Sequence, residues 1–212
     1  IAWGKFMNAG QTCMAPDFVL VERRAMTPLI EALCETVVRF YGADIRSSAD
    51  YGRIVNRRHF QRLVGYLNQG RIVFGGAHDA DDLYLGPTLL TDVDLDAPVM
   101  VEEIFGPILP VIPFDSLDDT LKMLRSRPKP LALYLFTDDR SVQHHVLTNT
   151  DSGGVCINDT IMHTVGKGMP FGGVGESGMG AYHGKAGFDG FTHYRSVMRR
   201  SNLVDVAQRY PP

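Results

Sequence analysis

The chain has 212 residues, 44% of them apolar and 21% charged, and a net charge of −3. That length suits one domain or one and a half, with the make-up of an ordinary globular protein. It supplies no basic field for nucleic acid, and no apolar run reaches the roughly 18 residues of a membrane span.

Taken in chain order, Val19 to Val21 reads as the end of a buried strand. Thr27-Pro28 reads as an N-cap followed by proline at the first helical position. Ile30, Leu33, Cys34, Val37, Val38 and Tyr41 then fall on one helical stripe that Gly42 stops, which makes Cys34 a core residue. A second helix is predicted over 57–69, ending at Gly70, with Phe60, Leu63, Val64 and Leu67 on its apolar face. Strands are predicted at 71–74, 89–93 and 108–112. Ser116 with Asp119 resembles a capping box for a helix through Leu117, Leu121 and Leu124, ended by Pro128 and Pro130. LALYLFT, 131–137, is apolar throughout, as in a strand covered on both faces. Asp138 or Asp139 caps a helix to about Asn149, and GGVCIN, 153–158, is a further buried strand that places Cys156 in the core. Strands alternate with helices, so the fold class is α/β with a largely parallel sheet flanked by helices. After Gly184 the pattern changes to a polar, aromatic tail, separate from the core and ending in Tyr210-Pro211-Pro212. Its basic cluster, Arg195 to Arg200, reads as an exposed strand edge.

No signal peptide opens the sequence. Cys13, Cys34 and Cys156 form neither a C-x-x-C pair nor an even framework, which points to a reducing compartment, the cytoplasm. Asn158-Asp159-Thr160 matches a glycosylation sequon and is read as chance. The apolar run begins at residue 1, as in a piece of a longer chain.

Three stretches are candidates for chemistry. NAGQTCMAPD, 8–17, puts Cys13 in a loop, where Gly10 allows close backbone approach and turned amides can favour a thiolate or an oxyanion. Against that stands the ordinary fate of cysteine as a small buried hydrophobe. EEIFGP, 102–107, offers a carboxylate to a ribose diol and Phe105 to a flat ring, or is simply a solvated strand-to-turn junction. PFGGVGESGMG, 170–180, contains G-x-G-x-x-G, but Pro170 precedes it and a glycine-rich run follows. A dinucleotide fingerprint needs a strand before and a helix after, so this is read as a loop packed against another backbone or a ligand. The histidines are scattered and show no metal spacing.

The three stretches occurring together, in this order, resemble the aldehyde dehydrogenases. IAWGKFMNAGQTC, YGRIVNRRHFQR, PTLLTDVD, EEIFGPILP, KPLALYLF, SGGVCIND, PFGGVGESGMGAYHGKAGF and the closing RYPP are similar to the class 3 branch, from residue 1 to 212. Class 3 members usually carry Asn where this chain has Glu176.

The resemblance implies that Cys13 is the nucleophile, forming a thiohemiacetal and then a thioester in NAD- or NADP-dependent oxidation of an aldehyde to a carboxylic acid. It implies that Glu103 holds the nicotinamide ribose with Phe105 beside it, and that Trp3, Met7, Ile161, Phe171 and His183 line the substrate funnel. Such a lining suits medium-chain or aromatic aldehydes. Trp3, Met7 and Ile161 are equally readable as plain core. In this family the dinucleotide-binding domain, the general-base glutamate and the oxyanion asparagine precede the catalytic cysteine. The expectation is therefore a catalytic domain at 1–184 and a C-terminal oligomerisation arm at 185–212, inactive alone. Within the arm, 191–200 would add a strand to a partner subunit, giving a homodimer. Membrane-anchored class 3 members continue in an apolar tail, so an end at Pro212 implies a soluble form. Two other readings stand beside this one: a cysteine-dependent acyltransferase or hydrolase, and a non-catalytic assembly module on the same fold.

Overall fold

A central four-stranded sheet organises the first half of the chain. The structure, a computed structural model, describes residues 1–201, 203, 207–209 and 211. Tyr210 and Pro212 of the closing RYPP lie outside the described residues. A short helix, α1 (Ala2–Phe6), runs into a 3-10 turn at Met7–Gly10. Next come β1 (Val19–Glu22), α2 (Met26–Tyr41), α3 (Arg57–Tyr66) and β2 (Arg71–Phe74). A hairpin, β3 (His78–Asp79) with β4 (Tyr84–Leu85), precedes β5 (Thr88–Thr91), α4 (Pro98–Val101) and β6 (Ile108–Phe114). The strand order is β1-β6-β5-β2, with β1 and β5 both parallel to β6 and only β2 antiparallel.

The pleat sorts the core onto the two faces of this sheet. Leu89 and Leu109 pack with Ala2, Phe6, Leu33 and Val37 of α1 and α2. Their chain neighbours Leu90 and Ile108 pack with Phe60, Leu63 and Tyr66 of α3 and with Ile104. Alternate residues of a strand point to opposite faces, so a sheet sandwiched by helices reads as a continuous apolar run. Each such leucine, fully buried, contributes about 1.5–3 kcal/mol.

The remaining elements are α5 (Leu117–Arg125), β7 (Ala132–Leu135), α6 (Arg140–Asn149), β8 (Gly154–Ile157) and α7 (Gly184–Gly190). The caps read from sequence are present: Ser116 accepts from the Asp119 N–H, and Asp139 accepts from Ser141 and Val142. β7 and β8 form a separate parallel pair, with Tyr134 opposite Cys156. Along most of the chain the expected α/β alternation and largely parallel pairing are observed.

Several expectations need correction. α2 begins at Met26, fed by a 3-10 turn at Arg23–Ala25, so Thr27 is not its cap. Pro28 sits inside the first turn, where a missing N–H is still outside the hydrogen-bond ladder. α3 stops at Tyr66 rather than 69. β7 is only half-buried and Phe136 is exposed, so LALYLFT is not covered on both faces. Cys34 and Cys156 are half-buried rather than core. A helix, α7, occupies the start of the expected tail, and 192–200 carry no regular secondary structure in the single chain. A strand needs a hydrogen-bonded neighbour, which a single chain does not supply to that segment.

Candidate active site

Asn8, Ala9 and Gly10 lie consecutively in the left-handed region, at φ 52°, 53° and 73°. For Asn and Ala this conformation is strained by about 1–2 kcal/mol per residue and must be held from outside. Gln11 holds it. Its side-chain amide donates to the Arg53 carbonyl at 2.9 Å and to the Asn8 carbonyl at 3.1 Å, and its oxygen accepts from the Val55 N–H at 2.9 Å. A Cβ on Gly10 would lie 2.2 Å from the Gly106 carbonyl oxygen, so the loop is seated directly on the Glu102–Pro107 turn. Cys13 follows, exposed, and among the described residues no hydrogen bond engages its thiol.

The facing turn is gripped by α3. Phe105 stands at φ 53°, and its carbonyl meets His59 Nε2 at 2.7 Å. Arg62 donates to the carbonyls of Glu103 at 3.0 Å and Ile104 at 2.6 Å. The two carboxylates differ in duty. Glu102 accepts from the Tyr66 hydroxyl at 2.6 Å, which with Arg62 holds its carboxyl below the usual range. Glu103 has no side-chain hydrogen bond among the described residues and reaches solvent. Its walled setting, and next the charge of Asp17, push its carboxyl up against the pull of Arg62.

Beneath the loop, Lys5 is fully buried and its Nζ has no hydrogen-bond partner among the described residues. Burial lowers its pKa to about 8, opposed by Asp17. Asp17, raised chiefly by burial, accepts from the Ile104 N–H at 3.1 Å, which ties the end of the Cys13 loop to the Glu103 turn.

The expected funnel residues are placed unevenly. Phe171 and His183 stack at 5.8 Å, and Phe171 exchanges backbone hydrogen bonds with Tyr182. His183 is exposed and Phe171 half-buried. Ile161 is buried at φ 66°, and Gly4 of α1 packs against Thr160 beside it. Trp3 is 44% exposed and Met7 half-buried, whereas Ile161 is buried. The glycine stretch forms only a 3-10 turn at Gly175–Ser177, in keeping with its rejection as a dinucleotide fingerprint. Among the described residues no cluster could hold a metal.

Sequence reasoning missed His59, Arg62, Gln11, Lys5, Asp17, Tyr134 and His163. His59 and Arg62 lie in RRHFQR, which reads as a solvated face; only their long-range carbonyl partners reveal the grip. Lys5 gave a readable signal, a lone charge inside the apolar run IAWGKFM. His163 is buried with neither ring nitrogen partnered among the described residues, and burial keeps its pKa below the ordinary value.

Comparison with known proteins shows the family. The chain is 50% identical over its whole length to 4,4'-diaponeurosporen-aldehyde dehydrogenase of Staphylococcus aureus and 48% identical to the dimeric NADP-preferring aldehyde dehydrogenase of Rattus norvegicus, covering 47% of each. It thus spans about half the length of these curated relatives. A substrate-bound structure of Staphylococcus aureus AldH superposes on all of this chain and 46% of its own, at a TM-score of 0.91 and 49% identity. The aldehyde dehydrogenase family model matches residues 1–197. On its match to the family model over residues 1–197 and the likeness of its fold, the chain belongs to the aldehyde dehydrogenase family.

Proposed function

We propose that this chain carries the thiol of an aldehyde-oxidising enzyme. One observation carries the reading: an exposed Cys13 on a strained, pinned loop that rests on the turn presenting an unengaged Glu103. Cys13 Sγ attacks the aldehyde carbon to give a thiohemiacetal. Loss of hydride leaves a thioester, and water releases the carboxylic acid and restores the thiol. The Cys13 backbone N–H contributes to holding the oxyanion.

Glu103 and Phe105 fit one end of a nicotinamide cofactor. A free carboxylate suits a ribose diol, and Glu102 is already committed to Tyr66 and Arg62. When bound, NAD or NADP supplies the hydride acceptor. Trp3, Met7, Ile161, Phe171 and His183 form the aldehyde wall, with Phe171 and His183 already stacked. The working form in this reading is a cytoplasmic homodimer joined through 191–200, and residues 1–212 alone are expected to be inactive.

The test is reduction of NAD+ or NADP+ with benzaldehyde or hexanal by the whole protein containing this chain. The wild type should turn over and Cys13→Ala should fall to background. Glu103→Gln should raise the KM for the cofactor about tenfold while leaving the KM for aldehyde nearly unchanged. Turnover by Cys13→Ala would contradict the reading.

A further inference from the structure

β7 reads from sequence as an ordinary apolar strand, yet it carries a phenol. Buried tyrosines usually find a partner for the hydroxyl, because an orphaned O–H in apolar surroundings is unfavourable. Tyr134 is half-buried, and its hydroxyl donates at 2.8 Å to the Met14 carbonyl, 120 residues away in the chain. Met14 is the residue after Cys13, inside a tight turn closed by Ala15 N–H to the Thr12 carbonyl at 3.1 Å. β7 pairs with β8, Tyr134 opposite Cys156, and β8 leads into the turn bearing Ile161. Ile161 is a β-branched residue at φ 66°, a conformation that persists only where the surroundings enforce it. The ring is fixed as well, edge-on to His163 at 5.9 Å.

Resting on the function proposed above, we propose that Tyr134 is a positioning residue: its hydroxyl ties the turn bearing Cys13 to β7, while its ring packs on His163, two residues past Ile161. The clamp sets the thiol against the aldehyde wall. It takes no part in bond making; it limits how far the sulfur strays from the geometry of attack. Burial pushes the phenol up to about 12, with the neighbouring thiols of Cys156 and Cys13 acting in the same direction, so the hydroxyl stays a donor at neutral pH.

Tyr134→Phe keeps the ring against His163 and removes only the clamp. In the whole protein, amide hydrogen exchange should quicken roughly threefold to tenfold in the peptide covering 8–17, as for loss of one net hydrogen bond, and stay unchanged in 57–66. Aldehyde turnover should fall in kcat by a similar factor, with a smaller change in KM. Unchanged exchange at 8–17, or equal acceleration in 57–66, would overturn the clamp. Faster exchange with unchanged kcat would overturn the positioning role. A wild type lacking any Cys13-dependent turnover would instead contradict the functional reading, and the exchange pattern alone would then decide the clamp.

Discussion

The Cys13 loop with its facing turn and the Phe171–His183 wall with its glycine loop are built on opposite plans. In the first, the loop and its facing turn are held by partners distant in sequence: Gln11 by Arg53 and Val55, the Phe105 carbonyl by His59, the Glu103 and Ile104 carbonyls by Arg62. Leu63, Ile104 and Ile108, all fully buried, lie under it. In the second, the half-buried Phe171 ring stacks on the exposed His183, and glycines meet one another's backbones, as Gly172 meets the Gly180 carbonyl. Met179 there is 97% exposed. Bond-making geometry tolerates little displacement, whereas a wall that receives side chains of varied shape works with softer packing. The contrast accounts for why one region was legible as a motif and the other only as a run of glycines.

Glycine substitutions test the contrast with the largest effect. Gly10→Ala combines φ 73° with a Cβ 2.2 Å from the Gly106 oxygen, and should lower unfolding stability by more than about 3 kcal/mol. Gly175→Ala shares the positive φ, 63°, but meets open space, and should lose only about 1 kcal/mol. Urea midpoints for the pair measure both, and equal losses would break the contrast.

Lys5 gives a pH signature confined to the first region. Its folded pKa is about 8 against 10.5 unfolded. Between those values the unfolded chain binds the extra proton, so stability rises with pH across that window. Relative to Lys5→Met, the wild type should gain on the order of 3 kcal/mol from pH 7.5 to 10.5, read from denaturation midpoints. A flat difference would show that the ammonium is solvated.

Arg62→Ala should lower stability by about 2 kcal/mol, because two carbonyls and Glu102 lose a charged donor. It should also speed amide exchange around Phe105 while leaving the Phe171–Tyr182 pairing unaffected. Exchange rising equally at Phe171 would mean that the two regions are coupled rather than separate.

Periodicity and turn residues were enough for the α/β alternation, the helices ending at Gly42 and Asn149, and the caps at Ser116 and Asp139. The β3–β4 hairpin escaped because two-residue strands in AHDADDLYL carry no alternation to read. α2 started early because propensity and tertiary packing outweighed a Thr-Pro signal. At the site, Cys13, Glu103 and Phe105 could be named from motifs because their neighbours in sequence set the loop shape. His59, Arg62, Gln11 and Tyr134 could not, since each acts on a backbone carbonyl or N–H far along the chain, a pairing that no local pattern encodes.

The central claim is that the fold presents Cys13 for chemistry and shields the other two thiols. Folded protein treated with limiting iodoacetamide, then digested and mapped, tests it directly. Cys13 is exposed while Cys34 and Cys156 are half-buried, and burial raises the Cys34 thiol. The account predicts carboxamidomethylation of Cys13 at least about tenfold ahead of the others. Faster labelling at Cys34 or Cys156 would contradict it.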